Sequence, residues 1–147
     1  MNFNNFTIKS QEAVQEAVNL VQSRGQQAIE PEHLMAGLLK VGENVTNFIF
    51  QKLGINGQQI ETVLDRQIAS LPKVSGGEAY LSRSANEVLQ KAVEVSKELG
   101  DEYVSLEALL LALLNVKSTV ATLLKDAGLT DKELRAAIQE LRQGQKV

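Results

Sequence analysis

The chain has 147 residues with an apolar fraction of 44%, no cysteine and a formal net charge of -3. Its length and apolar fraction suit one globular domain with a hydrophobic core, and the lack of cysteine excludes disulfides and thiolate chemistry within it. The negative charge argues against a nucleic-acid partner, because proteins that bind nucleic acid present a basic face to the phosphate backbone.

The N-terminal residues have neither the basic nor the apolar region of a signal peptide, and the longest apolar run, 108–114, is too short to cross a bilayer. We therefore predict a cytoplasmic protein with no membrane partner. Along the rest of the chain apolar residues recur at helical spacing, and strand patterns are almost absent. This pattern indicates an all-α fold.

Four helices are predicted in the first half of the chain, each delimited by a capping residue or a helix-ending glycine. They run from Thr7 to about Arg24, from Glu30 to about Lys40, from Asn44 to Gly54 and from Asn56 to about Ser70, with Thr7, Asn44 and Asn56 as N-caps. The segment 71–81 has one proline, a glycine pair and no periodicity, so it is predicted to be a linker.

Four more helices are predicted in the second half, again with a serine or threonine as each N-cap. They run from Ser82 to about Leu99, from Ser105 through a run of leucines, from Ser118 to Gly128 and from Thr130 to about Arg142. The helix after Ser105 is apolar on nearly every face, and we therefore expect it to be the most buried one.

The second half of the chain repeats the first. Residues 7–40 align with residues 82–115 at an offset of 75 residues, and beyond them the alignment continues at an offset of 74. Identical pairs include Glu12 with Glu87, Gly25 with Gly100, Glu32 with Glu107, Leu38 with Leu113 and Gly54 with Gly128. We predict a single domain, 1–147, of eight helices in two four-helix repeats related by a pseudo-two-fold axis. Repeat one spans about 7–70 and repeat two about 82–143.

No motif for catalysis or for a cofactor is present. Gly37 and Gly42 are followed by Glu43, where a Walker A motif needs lysine, and no serine lies in a G-x-S-x-G motif. The single histidine, His33, excludes a multi-histidine metal site. A partly buried histidine that is hydrogen-bonded to the backbone is favoured over a catalytic one. We predict a non-enzymatic domain without metal or cofactor.

Two matched carboxylates are open to two interpretations. Glu32 and Glu107 each lie in the first turn of the second helix of their repeat, where a negative charge stabilises the helix dipole. Alternatively, both line a groove and accept hydrogen bonds from a bound polypeptide. Leu89 is open in the same way, because its apolar stripe belongs either to the core or to a groove for unfolded polypeptide. Charges near the end, including Arg135 and Arg142, predict a solvated helix face.

Several motifs in order along the chain resemble the Clp N-terminal repeat family, and within it the ClpB-type disaggregases. Residues 32–35 read E-H-L-M, similar to the E-H-L-L motif of the family, and residues 107–110 read E-A-L-L as its second copy. Segments 71–76, 80–83 and 99–105 are also similar to ClpB-type sequences, and residues 144–147 resemble the start of the linker to the AAA+ domains.

The resemblance implies the N-terminal substrate-recognition domain of an ATP-dependent disaggregase, which binds unfolded or aggregated polypeptide weakly and delivers it to the AAA+ channel. The alternative is an adaptor-docking domain of a Clp unfoldase. The implied partners are client polypeptide, the full-length hexamer and a DnaK-type chaperone, whereas ATP and Mg²⁺ belong to AAA+ domains outside this chain. The isolated domain is expected to be a monomer. By family position, the expected substrate-binding residues are Thr7, Glu32, Leu89, Glu107 and Ala108.

Overall fold

Eight α-helices form nearly all the regular structure of residues 2–147, the part of the chain that the computed structural model describes. Those of the first repeat are α1 (Ile8–Ser23), α2 (Pro31–Val41), α3 (Glu43–Leu53) and α4 (Gly57–Ala69). Those of the second are α5 (Arg83–Glu98), α6 (Leu106–Asn115), α7 (Thr119–Asp126) and α8 (Asp131–Arg142). The prediction of an all-α fold with eight helices is confirmed.

Local capping chemistry sets most of the helix starts. The predicted N-caps Thr7, Asn56, Ser82, Ser105, Ser118 and Thr130 each accept a hydrogen bond from the backbone N–H three residues later. Each bond satisfies one of the amides that a helix N-terminus leaves without an intrahelical acceptor. The hydrogen bonds that begin these six helices were therefore predictable from single side chains.

The predicted N-cap of α3 is wrong. α3 begins at Glu43 with Gly42 as its N-cap, and Asn44 lies exposed inside the helix. Gly42 is also the C-cap of α2, and its amide donates to Leu38 O at 2.7 Å. Because one residue both ends α2 and begins α3, there is no extended position at which Asn44 could act as a cap.

Two short β-contacts connect the repeats. β1 (Ala28–Ile29) pairs in parallel with β2 (Tyr80–Leu81), so the last two residues of the predicted linker are a strand. An isolated parallel bridge joins Phe6 to Val104. In the alignment of the repeats Leu81 corresponds to Phe6 and Ile29 to Val104, so the two contacts are equivalent. Strands this short have no periodicity to read in the sequence.

The helices of the two repeats interlock around one core. α3 packs on α8 and α4 packs on α7, while α2 contacts α6 at the centre. In the alignment α3 corresponds to α7 and α4 to α8, so the two cross-repeat contacts are related by the pseudo-two-fold axis. Within α6 every residue from Leu106 to Leu114 is buried, as the sequence predicted for this helix. The core is therefore shared by the repeats.

Within residues 2–147 no single helix is both long and apolar enough to cross a membrane. α6 and α7 reach the required length and composition only as a pair, and their axes are bent by 97°.

Candidate functional site

Thr7 lies where the N-terminal segment meets the loop before α6. Its hydroxyl accepts from Ser10 N at 3.1 Å and donates to Ser10 Oγ at 2.9 Å, as an N-cap does. Its backbone N–H donates to Val104 O at 3.0 Å, and Val104 N donates to Asn5 O at 2.8 Å. The Thr7 side chain is half-buried. The position is thus held by α1 on one side and by the 101–105 loop on the other.

Glu107 is tied to Arg142 in a buried ionic cluster. Arg142 Nε donates to Glu107 Oε2 at 2.8 Å, Nη1 to Asp101 Oδ1 at 3.0 Å and Nη2 to Ser105 Oγ at 2.9 Å. Burial disfavours the charged form of Arg142, yet the hydrogen bonds to Asp101 and Glu107 outweigh it and raise the guanidinium pKa. The cluster fixes the C-terminal end of α8 to the N-terminal end of α6.

The interpretation of Arg142 as part of a solvated helix face is therefore wrong. Arg142 is only 8% exposed, and its helix buries Leu134 and Ile138 on the same side. Residues four apart share one face of a helix, so Arg142 continues the buried row. A charge on that row is tolerated because two carboxylates compensate for it.

Glu32, the counterpart of Glu107, has no such partner. Its carboxylate is buried and forms no salt bridge to any residue of 2–147. Burial raises its pKa, opposed by its own backbone hydrogen bond and by Thr119. The alignment places Ile68 where repeat two has Arg142. The first repeat therefore lacks the cation that fixes Glu107.

His33 is held in a neutral hydrogen-bonded chain. Its Nδ1 accepts from Glu30 N at 2.9 Å, and its Nε2 lies 2.7 Å from Gln26 Oε1, while Gln26 Nε2 donates to Ile68 O at 2.7 Å. Burial, followed by the charge of Arg24, lowers the pKa of His33 to about 4. This supports the interpretation of a buried structural histidine. Within residues 2–147 no group of three or more His, Cys, Asp or Glu residues has the geometry to hold a metal ion.

The remaining expected site residues lie in the core. Leu89 on α5 and Ala108 on α6 are both 0% exposed. A ligand on the surface of this conformation therefore cannot touch either side chain. Of the five expected residues, Thr7 and Glu107 both lie beside the 101–105 loop. Leu89 and Ala108 lie beneath the surface, and Glu32 lies in the other repeat.

A groove that sequence reasoning missed runs over the first repeat. It separates the α1–α2 pair from α3 and α4, has a volume of about 1000 Å³, and is called the repeat-one groove below. Apolar side chains such as Leu20, Leu39 and Phe50 line it together with six charged residues. Its volume is at the upper end of the range of ligand-binding clefts. The related feature in the sequence is that several aligned positions carry opposite charges in the two repeats.

Three comparisons with known proteins agree with this architecture. The family model described as "Clp repeat (R) N-terminal domain" matches residues 5–145. The chain is 78% identical over all 147 residues to the chaperone protein ClpB of Bacteroides thetaiotaomicron and 52% identical to that of Porphyromonas gingivalis. It spans 17% of the length of each of these relatives.

Two solved structures with low sequence identity have the same fold. The Hsp104 N-terminal domain from Candida albicans superimposes with a TM-score of 0.84 at 22% identity, covering 97% of this chain and 95% of that one. The ClpV N-domain in complex with a VipB peptide superimposes with a TM-score of 0.76 at 18% identity, covering 93% of this chain and 86% of that one.

Proposed function

This chain belongs to the Clp repeat N-terminal domain family, and on that premise we propose that it is the substrate-recognition domain of an ATP-dependent protein disaggregase. It binds unfolded or aggregated polypeptide and delivers it to the AAA+ channel. The observation that carries the proposal is the 78% identity, along the whole chain, to a protein named as a ClpB chaperone. ATP hydrolysis with Mg²⁺ belongs to the part of such a chaperone that lies outside this chain, in a cytoplasmic hexamer that works with a DnaK-type chaperone.

The domain itself acts by binding rather than by chemistry. The sequence has no Walker A motif, and its one histidine is occupied by Glu30 and Gln26. Open surface grooves offer few anchors, and a bound unfolded chain loses conformational entropy, so affinity for clients is expected to be weak. Weak binding suits a domain that has to release the segment it captures.

Thr7 is the expected site residue that a client can reach most directly. Its side chain is half-buried, whereas Glu107 is fixed by Arg142 and Leu89 and Ala108 lie in the core. In this proposal Thr7 contacts the client, Glu107 holds the 101–105 loop in place, and the two apolar residues support the surface from below. Glu32, in the first repeat, is 7% exposed and offers a client only a small part of its side chain as a second polar contact.

NMR shift mapping with a permanently unfolded client tests the proposal. We expect saturable, fast-exchange shifts in ¹H–¹⁵N spectra of residues 1–147, and weaker binding for Thr7→Ala than for Thr7→Ser. Serine keeps the hydroxyl and the N-cap and loses only the methyl group, and urea denaturation of Thr7→Ala shows how much of its weaker binding follows from the lost cap. If excess client produces no saturable shift anywhere in the domain, the proposed function is excluded.

The alternative function is docking of a folded adaptor. One neighbour in the structural comparison, the ClpV N-domain, was solved with a VipB peptide bound, which favours recognition of a single partner protein by a domain of this fold. Discrimination requires a competition experiment. An adaptor-docking domain would bind a single folded protein at fixed stoichiometry and ignore the unfolded client, whereas a client-binding domain would bind unrelated unfolded chains that compete with each other.

A further inference from the structure

The repeat-one groove has an excess of negative charge. Its charged residues are Glu16, Arg24, Lys40, Glu43, Glu61 and Asp65. Both cations are paired within the groove, because Lys40 Nζ lies 2.9 Å from Glu16 Oε1 and Arg24 forms an ion pair with Asp65. Glu43 and Glu61 are exposed and form no salt bridge to any residue of 2–147. Two uncompensated carboxylates therefore remain beside an apolar floor.

The fold does not dictate this charge. The alignment of the repeats places Lys91 opposite Glu16, Lys117 opposite Glu43 and Arg135 opposite Glu61. The aligned positions thus carry acids in repeat one and bases in repeat two, with Glu43 at the start of α3 and Lys117 in the loop before α7. Since both copies fold alike with opposite charges, packing alone does not require acids around the groove.

Two side-chain contacts cross the corresponding cleft of repeat two, whereas that of repeat one is crossed by the Arg24–Asp65 ion pair, which joins the end of α1 to α4. In repeat two, Arg135 Nη2 of α8 lies 2.9 Å from Glu98 Oε1 of α5, and Asn115 Nδ2 of α6 donates to Asp131 Oδ1 at 2.9 Å. The residues aligned with these four are Glu61, Ser23, Lys40 and Gly57.

None of the equivalent bridges forms in repeat one. Gly57 has no side chain to match Asp131, so the amide contact of Asn115 has no counterpart. Glu61 has the wrong charge to match Arg135, and Ser23 donates its hydroxyl to Leu20 O instead of crossing the cleft. Apart from the Arg24–Asp65 ion pair toward the end of α4, the cleft in repeat one is consequently open, which leaves the groove of about 1000 Å³.

We infer that the repeat-one groove binds client segments in which apolar side chains are flanked by lysine or arginine. The inference rests on the proposed function and names the kind of segment that this domain selects. Apolar side chains would be buried against Leu20, Leu39 and Phe50, while the flanking cations meet Glu43 and Glu61 at the rim. Charges at an exposed rim mainly steer encounter and set preference, and their effect declines as salt rises.

A pair of peptides with the same apolar residues tests the charge preference. One peptide carries lysine on both sides of the apolar segment and the other carries glutamate, and each is titrated into residues 1–147 at low ionic strength. The lysine peptide is expected to bind roughly tenfold more tightly or better, a preference that shrinks in high salt. Its NMR shifts should fall on α1–α4 residues that line the groove. Equal affinity for both peptides, or shifts confined to the Thr7 and Glu107 region, would overturn the inference.

Charge variants test the site itself. Glu43→Lys/Glu61→Lys should abolish the preference for the lysine peptide, and Glu43→Gln/Glu61→Gln should reduce it without adding a cation to the first turn of α3. Glu78→Lys/Glu87→Lys is the matched control, because it changes net charge equally at exposed positions outside the groove. If this control has the same effect as the groove variant, the preference comes from overall charge and the site is wrong.

The remaining outcomes separate the inference from the proposed function. If unfolded client binds the native domain and the groove variants alike, only the inference fails. If no unfolded chain binds at all, the proposed function fails as well. Sedimentation of the domain alone tests whether a second copy of the chain, instead of a client segment, occupies the groove. Self-association that the Glu43→Lys/Glu61→Lys variant abolishes would mean that a second copy occupies the groove, which also overturns the inference.

Discussion

Glu32 and Glu107 occupy equivalent positions in the two repeats, yet their carboxylates have different surroundings. Glu107 bonds to Arg142, whereas Glu32 is buried without a salt bridge and its pKa is raised. The duplicated sequence repeats the acid but not the cation, since Ile68 aligns with Arg142. A substitution at Glu107 therefore changes a structural contact first, and any loss of client binding has to be separated from loss of stability.

Arg142→Met should destabilise the domain by about 3 kcal/mol, because it leaves Glu107 and Asp101 as buried charges without their partner. Arg66 is exposed in the last turn of α4, so Arg66→Met should change stability by no more than about 0.5 kcal/mol. Urea denaturation of both variants measures the difference. Adding Glu107→Gln to Arg142→Met should recover part of the loss, since one uncompensated charge is removed. Equal midpoints for the two single variants would contradict the ionic cluster.

His33 makes stability depend on pH in a defined direction. The pKa of His33 is about 4 in the folded domain and about 6.5 when unfolded, so the unfolded chain binds the extra proton first. Its contribution is therefore fully present above pH 6.5 and is lost as pH falls toward 4, by up to about 3 kcal/mol. Because the chain has one histidine, its ring carbon-bound proton can be followed by NMR through the titration. A midpoint near 6.5 in the folded domain would contradict the buried chain of hydrogen bonds.

Glu32 opposes this pH dependence and provides its control. A carboxyl whose pKa is raised by folding stabilises the domain at low pH. That contribution is lost as pH rises through the pKa of the unfolded chain and then that of the folded domain, the reverse of His33. In Glu32→Gln that opposing contribution is gone. The stability of this variant should therefore fall more steeply than that of the native chain as pH falls toward 4.5, the usual pKa of this carboxyl, as measured by urea denaturation at each pH.

At the scale of elements, the sequence predicted what is local and missed what is not. Helix spacing and single capping side chains act within one or two turns, so all eight helices and six of the caps could be read directly. Asn44 was misassigned because its role depends on how closely α2 precedes α3. The Arg142 cluster and the repeat-one groove arise from helices far apart in sequence, so neither has a local pattern. The reversed charges at Glu43 and Lys117 were visible in the alignment, but only the fold brings them to a cleft.

The contact between α1 and α2 predicts that a substitution and its reverse, made at aligned positions of the two repeats, both destabilise the domain. A methyl group added at Gly37 would collide with Ala13 O across the α1–α2 contact, so Gly37→Ala should destabilise by about 1–3 kcal/mol. In an open helix the same change stabilises by about 1 kcal/mol. Ala112 occupies the equivalent position of α6, where Ala112→Gly should cost about 1 kcal/mol through helix propensity. Thermal denaturation of both variants measures the two effects, and a more stable Gly37→Ala would contradict the close packing.

At the scale of the whole molecule, the duplication has produced two repeats that depend on each other. α3 packs on α8 and α4 on α7, and Lys52 Nζ of α3 lies 2.7 Å from Glu140 Oε1 of α8. The parallel pair β1–β2 and the Phe6–Val104 bridge add backbone contacts across the same boundary. The buried faces of the last two helices in each repeat are therefore covered partly by the other repeat.

Neither repeat should consequently fold alone, even though each contains four well-capped helices. Fragments 1–75 and 76–147 divide the chain in the exposed loop between α4 and β2, so the cut itself breaks no helix. Each fragment exposes apolar surface that α3–α8 and α4–α7 packing buries, and isolated helices of 8 to 16 residues are marginal in water. We expect poorly dispersed ¹H–¹⁵N spectra for each fragment and a native-like spectrum when they are mixed. The intact chain cleaved at the same bond is the control, and a fragment that unfolds cooperatively on its own would mean that the repeats are independent units.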